Sequence, residues 1–307
     1  MRESSSNSFA LTNDLLTGTF PNGTLYWESG TFDNSNKSIF QTTQQDYEFE
    51  KCSWERCTGE PGGAITLAIS SSSLSVRESI FKECDAIAAN AQLPKKCHGG
   101  AISAQNLACL VITQCVFLQC HAPQQVNNDA AGGMYAVGIQ RVFSLSSSVC
   151  LLCSTGSSGG GIFFRSQSTL QLSTEIVHSC ILINCTARGS SPDGGGLCLW
   201  ENFYTFRCLN NLFYGCYADY GGGLNFNFSK NSESSPIRFC FFNRNTADVG
   251  NDVAFLGSYT LVGKLLLHCF STSNSKRVGY YNTEWHTDDF NWLPMGTLQY
   301  LKTQSGI

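Results

Sequence analysis

The sequence predicts an all-β solenoid, a right-handed single-stranded parallel β-helix of about seven to eight coils. Three observations carry that expectation. A short turn phrase recurs along the chain, a glycine phrase follows each copy, and one of the two arms between these phrases is nearly constant in length.

The turn phrase is an aromatic or apolar residue, two variable residues, then Cys or Asn. Its copies are Trp54–Cys57, Phe81–Cys84, Phe117–Cys120, Cys150–Cys153, Leu182–Cys185, Phe213–Cys216 and Phe242–Asn245, with Phe270–Ser273 as a degenerate eighth. The glycine phrases are Gly62–Ile65, Gly99–Ile102, Gly132–Tyr135, Gly159–Ile162, Gly194–Leu197, Gly221–Leu224 and Gly250–Val253. Taking Gly63, Gly100, Gly133, Gly160, Gly195 and Gly222 as the equivalent glycines, the arm to the next Cys or Asn is 20–25 residues long. The return arm varies from 6 to 16 residues. Constant length means a structure held in register, and variable length means a surface loop whose extra residues cost little closure entropy.

Within the constant arm, stretches such as Ile65–Ile69, Leu74–Val76, Leu107–Ile112 and Ser168–Leu172 alternate in polarity and stop at Ser, Asn or Gly, as short strands do. No sustained helical stripe is present. Three short strands and tight turns fill such an arm, and stacked coils bury faces that one coil cannot bury alone. The glycines are expected to supply corners with positive φ and close approach between coils.

Phe-x-x-Asn followed by Gly-Gly-Ala-Ile resembles the repeat of the polymorphic outer membrane protein type of β-helix, a pectin-lyase-like solenoid. Phe242–Asn245 with Ala247, Gly62–Ile65 and Gly99–Ile102 carry the likeness, which spans roughly residues 50–275. Six of the seven turns have Cys in place of Asn. The resemblance implies a surface-displayed, adhesion-like protein.

The rungs Cys57, Cys84, Cys120, Cys153, Cys185, Cys216 and Asn245 are expected to stack as a structural ladder. Five residues earlier, Cys52, Ser79, Cys115, Ser148, Cys180, Asn211 and Cys240 form a second column, with His268 assigned to its next level. Asn columns hydrogen-bond along a solenoid, and Cys fits the same inward site as a small hydrophobe with a weak donor. Strand spacing of about 4.8 Å exceeds the Cβ separation of roughly 3.5–4.5 Å that a disulfide needs, which favours thiols. Cys97, Cys109, Cys150, Cys198, Cys208 and Cys269 fall outside both columns. Cys150–Cys153 has redox spacing but sits at the phase of the turn phrase, so it reads as a rung.

Composition narrows the function. The 307 residues are 42% hydrophobic and only 14% charged, with net charge −4 and 16 Cys. No basic run marks a nucleic-acid or anionic-membrane surface. Met1–Leu16 lacks the apolar core of a secretory signal, and Val253–Phe270 is too polar for a transmembrane segment. Cys97-His98 and Cys120-His121 lack a second ligand pair, and His178 and His286 stand alone, so no metal or other cofactor is expected. Asp129, Asp193, Asp219 and Asp248 recur near the variable corner, but Asp is a common turn residue and no basic residue recurs beside them, so no catalytic residue is assigned. Asn22, Asn36, Asn184 and Asn227 begin glycosylation sequons that matter only in a secreted chain.

The expected layout is an irregular N-terminal lead-in over 1–48, the repeat domain over 49–275, and an aromatic-rich C-terminal cap over 276–307 with Tyr280, Tyr281, Trp285, Phe290 and Trp292. The expected function is a non-catalytic binding or structural module. Its contact surfaces, for a protein or carbohydrate ligand, are the flat sheets and the loops 85–98 and 121–131. The alternative is a carbohydrate-active β-helix enzyme, which would need convergent carboxylates with a basic partner in a cleft.

Overall fold

A computed structural model describes residues 24–33, 39–40, 46–87, 97–123, 130–166, 174–189, 192–200, 206–227, 237–256, 266–267, 269–272, 278–280 and 286–287. One coil shows how the sequence winds. Cys109–Thr113 forms a strand in sheet 1, Val116–Leu118 in sheet 2, His121–Ala122 in the narrow sheet 3, and Met134–Val137 in sheet 4. The chain then enters the next coil at Val142–Ser146, which pairs in parallel with Cys109–Thr113. Repeating this path gives a right-handed parallel β-helix with no helix among the described residues.

Two corners shape each coil, and both use one residue in the left-handed region. Gln114 (φ 55°) joins sheets 1 and 2, and Gln119 (φ 53°) joins sheets 2 and 3. The same corners recur at Arg56, Glu83, Leu152, Asn184, Gly215 and Arg244, and at Lys51, Glu78, Ser147, Ser179, Asn210 and Phe239. A non-glycine residue held there costs about 1–3 kcal/mol unless its surroundings over-determine it. Here the corner N–H stays in the inter-coil ladder: Glu83 donates to Leu118 O (2.8 Å), Gln119 to Leu151 O (2.9 Å) and Leu152 to Ile183 O (3.0 Å).

The glycines do both expected jobs, close approach and positive φ, but at different positions. The column that approaches the next coil is Gly63, Gly100, Gly132, Gly160, Gly195 and Gly222, and its members do not have positive φ. A Cβ on Gly100 would overlap the carbonyl oxygen of Gly132 in the next coil. Gly133 was expected in this column. Ile102 pairs with Met134, however, which moves Gly133 one position on, level with Ala101 and Gly161. Positive φ falls on the preceding glycines of the later coils, Gly159, Gly194, Gly221 and Gly250.

The stack is longer than the turn phrase indicates. Among the described residues sheets 1 and 2 each hold nine strands, so nine coils are described rather than seven to eight. Thr24–Glu28 and Thr31–Asp33 pair in register with Asp46–Glu50 and Ser53–Glu55, placing a first coil inside the expected lead-in. At the other end Val278–Tyr280 pairs in parallel with Val253–Phe255, and His286–Thr287 turns back antiparallel upon it. Among the described residues this antiparallel pair is the last rung of sheet 4. Tyr281, Trp285, Phe290 and Trp292 lie outside the described residues.

Inside, the aromatic of the turn phrase stacks coil upon coil. Phe32, Trp54, Phe81 and Phe117 have ring centroids 5.1, 4.5 and 5.0 Å apart and nearly parallel planes. Cys150 and Leu182 continue the column, and Phe213 and Phe242 resume stacking at 4.9 Å. Two predictions follow from this packing. Replacing the fully buried Phe117 with Ala is expected to cost about 3–5 kcal/mol in urea unfolding. Gly100→Ala is expected to cost at least as much, about 4 kcal/mol or more, because a Cβ there meets backbone that cannot move without parting two coils. An unchanged urea midpoint for either variant would contradict the stacking.

Candidate interaction surface

The two predicted columns exist, and each rung hydrogen-bonds to the coil before it. Cys84 Sγ donates to Trp54 O (3.7 Å), Cys120 to Phe81 O (3.5 Å), Cys153 to Phe117 O (3.5 Å), Cys185 to Cys150 O (3.5 Å) and Cys216 to Leu182 O (3.5 Å). Asn245 does the same through Nδ2 to Phe213 O (3.1 Å), and its Oδ1 accepts from Cys216 N (3.0 Å). Cys57 begins the column against Phe32 O (3.5 Å). In the second column Ser79, Ser148 and Asn211 accept the backbone N–H of Cys52, Cys115 and Cys180. Its ninth-coil member is Cys269, bonded to Ile237 O (3.6 Å). Phe270 pairs with Phe241 rather than Phe242, so the position assigned to His268 belongs to Cys269. His268 itself lies outside the described residues.

All 16 cysteines are thiols rather than disulfides, and all but Cys109 are buried. Burial pushes the thiols of Cys52 and Cys180 up to about 11 and Cys115 up to about 12. Burial also raises Cys120, Cys150 and Cys240 well above the ordinary value. Cys185 is pushed up by the flanking thiols Cys153 and Cys216 and by burial. Cys84 is drawn the other way by S–H groups of Cys120 and Cys57, and Cys153 by those of Cys120 and Cys185. Among the described residues no group of three His, Cys, Asp or Glu could hold a metal ion. Cys120 is a rung while its neighbour His121 points outward to Ser154 (3.0 Å). Cys97 and His98 are buried, and the His98 ring stacks on Tyr135 at 4.4 Å.

The thiols thus serve packing. Function has to be sought outside the core, where the three large sheets differ. The outer face of sheet 1 is mixed, with Glu50, Arg77, Thr113, Ser146 and His178 in one row. The outward residues Thr66, Ser103, Tyr135, Phe163, Cys198 and Asn225 of sheet 4 are buried, and Tyr135, Phe163, Cys198 and the partly buried Trp200 form a small second core.

Sheet 2 is different. Its outer face carries a row of Ile80, Val116, Val149, Ile181, Leu212 and Phe241, paired coil to coil. Beside it runs a second row of Leu118, Leu151, Ile183 and Tyr214. The sequence supplies both rows, because the residues four and two before each rung are apolar from Val116 to Tyr214. Neighbours in the sheet half-bury most of them, yet Ile80 is 46% exposed and Ile181 36% exposed. The corner residue Leu152 adds a further exposed side chain at the centre.

Charges bound this stripe at both ends. Before it, Arg56 pairs with Asp33 (2.9 Å) and Glu55 (3.2 Å), and Lys82 with Glu55 (2.7 Å) and Glu83 (3.8 Å). After it, Arg244 donates to the Tyr214 hydroxyl (2.9 Å), with its guanidinium 5.7 Å from the ring centre.

A second feature lies at the corner between sheets 3 and 4. Arg188, Gly189, Tyr217 and Asp219 line an open cleft of about 280 Å³. Tyr217 pairs with Thr246 and Tyr220 with Val249, which sets Asp219 level with Asp248 in the next coil. Burial and then the Asp248 charge raise the Asp219 carboxyl above its usual range. The acids were legible in the sequence, but Arg188 was missed: it has no counterpart in other repeats and shares a cleft with Asp219 only through the stacking of two coils. Asp193 is buried one coil earlier, and Asp129 lies outside the described residues. Most of the two loops expected to make contacts, residues 88–96 and 124–129, also lies outside them.

No family model, curated protein or solved structure matches the chain.

Burial of the thiols generates a prediction. A native chain treated with Ellman's reagent at pH 8 is expected to show one fast-reacting thiol, Cys109, and 16 after unfolding in guanidinium. Raised native thiol values also mean that the folded chain holds protons which the unfolded chain releases. The share of stability contributed by Cys52, Cys115 and Cys180 is therefore complete below the unfolded value of about 8.5 and is lost as pH rises towards 11–12, a range in which the lowered Cys84 and Cys153 are ionised in both states and add no pH dependence. Several fast thiols in the native state, or stability that rises over that range, would contradict this account.

Proposed function

We propose that the chain is a non-catalytic binding module that docks through the outer face of sheet 2. The observation that carries this reading is the continuous apolar stripe from Ile80 to Phe241, six coils long, on a surface that a β-helix needs for none of its own packing. Six coils span five intervals of about 4.8 Å, which by strands and corners about 15 Å wide gives a face of roughly 360 Å². At about 25 cal/mol per Å² its burial contributes about 9 kcal/mol, against association costs of similar size. The face therefore supports specific but modest affinity. The adhesion-like role implied by the repeat resemblance accords with such a surface.

One observation favours a carbohydrate-active enzyme as a second reading: the corner cleft is lined by an acid with a raised carboxyl, Asp219, by the basic Arg188 and by Tyr217, an aromatic that could serve a sugar as a platform.

Two measurements separate the readings. The dye bis-ANS is expected to bind the native chain, and V149K/I181K, which alters only outward strand positions, is expected to lose most of the fluorescence while keeping the far-UV spectrum. An unchanged dye signal would contradict docking through sheet 2. Incubation with neutral and uronate-containing polysaccharides is expected to release no reducing ends or unsaturated products. Product release abolished by D219N would establish the enzyme instead.

A further inference from the structure

Resting on the reading of sheet 2 as a docking face, we propose that its occupant is the same face of a second copy of this chain, laid antiparallel to the first. The argument begins with the order of side chains along the outer row. Ile80, Val116 and Val149 occupy the third to fifth coils, and Ile181, Leu212 and Phe241 the sixth to eighth. A two-fold axis running along the strands, between the fifth and sixth coils, keeps each row over itself and reverses coil order. It sets Val149 on Ile181, Val116 on Leu212 and Ile80 on Phe241. Every contact then places the smaller or more compact side chain of one copy against the larger one of the other, an isologous and self-complementary match.

The charges obey the same operator. Corner residues between sheets 2 and 3 form a row of their own, with Glu83 in the third coil and Arg244 in the eighth. The axis brings Glu83 of one copy over Arg244 of the other, twice per dimer. Among the described residues Glu83 makes a long contact to Lys82 (3.8 Å) and feels the Arg56 charge, and Arg244 meets the Tyr214 hydroxyl and ring; both side chains stay exposed enough to take a partner. A two-fold axis along the solenoid would instead reverse the strands and set Glu83 towards Glu78 in the same coil of the other copy, a like-charge approach with no pair for Arg244.

The size of the face fixes the strength. Roughly 360 Å² per copy is below the roughly 800 Å² per partner of a standard stable interface, so the dimer is weak and concentration-dependent.

The test is sedimentation equilibrium of the full chain across a wide concentration range at low salt, with circular dichroism to verify folding of each variant. The wild type is expected to show a monomer–dimer equilibrium, and V149K/I181K only monomer. E83R and R244E are each expected to weaken the dimer about tenfold or more, and E83R/R244E, which restores both pairs with reversed sign, to return it to within about threefold of wild type. A wild type that is monomeric throughout overturns the proposal, as does a dimer insensitive to V149K/I181K, growth beyond the dimer, or a double swap no better than the singles. If the wild type stays monomeric while bis-ANS still reports the face, self-pairing fails and the docking reading stands. If the dye signal fails as well, both fall.

Discussion

The vertical register of the coils is the constraint on which everything else in this molecule depends. A single coil buries nothing on its own. Once one coil lies directly on another, its corner N–H groups, its inward thiols and its aromatic ring all find partners in the coil above or below. The left-handed corners, filled by Arg, Glu, Gln and Leu as readily as by Gly or Asn, show how strongly that register overrides local preference. The Cys rungs act within this scheme as compact donors. Each S–H reaches a carbonyl of the preceding coil, as the single amide of Asn245 does with a stronger bond and an extra acceptor.

Much of this was legible in the sequence because an inward rung must be small and weakly polar, and one that recurs at a fixed distance must recur in space. Both columns follow from that rule. The errors arise where the local pattern is degenerate. In Ala131-Gly132-Gly133-Met134 either glycine fits the phrase, and only the strand register selects Gly132. Around Cys269-Phe270 the last copy of the phrase is too eroded to fix its phase, and His268 was aligned in place of Cys269. The first coil went unseen because the copy that begins at Phe32 has neither Cys nor Asn three residues later.

The candidate surface was harder to read for a physical reason. In Val116-Phe117-Leu118 or Ile181-Leu182-Ile183 both faces of the strand are apolar, and such a run looks like a strand buried on both sides. Only the structure shows that one of those sides lies on the exterior. The Arg188–Asp219 cleft was hidden differently, since its two residues belong to coils whose loops differ in length. The stripe and the cleft lie in different parts of the coil, so a solenoid scaffold can present two chemically distinct surfaces without compromise to either.

Sulfur anomalous diffraction from a crystal of the protein would test the stacking most directly, because it locates the rungs without reference to any assumed chain path. The account predicts that the sulfurs of Cys57, Cys84, Cys120, Cys153, Cys185 and Cys216 fall on one nearly straight line at intervals of about 4.8 Å. Sulfur positions scattered through the molecule, or rungs separated by more than one coil spacing, would contradict it.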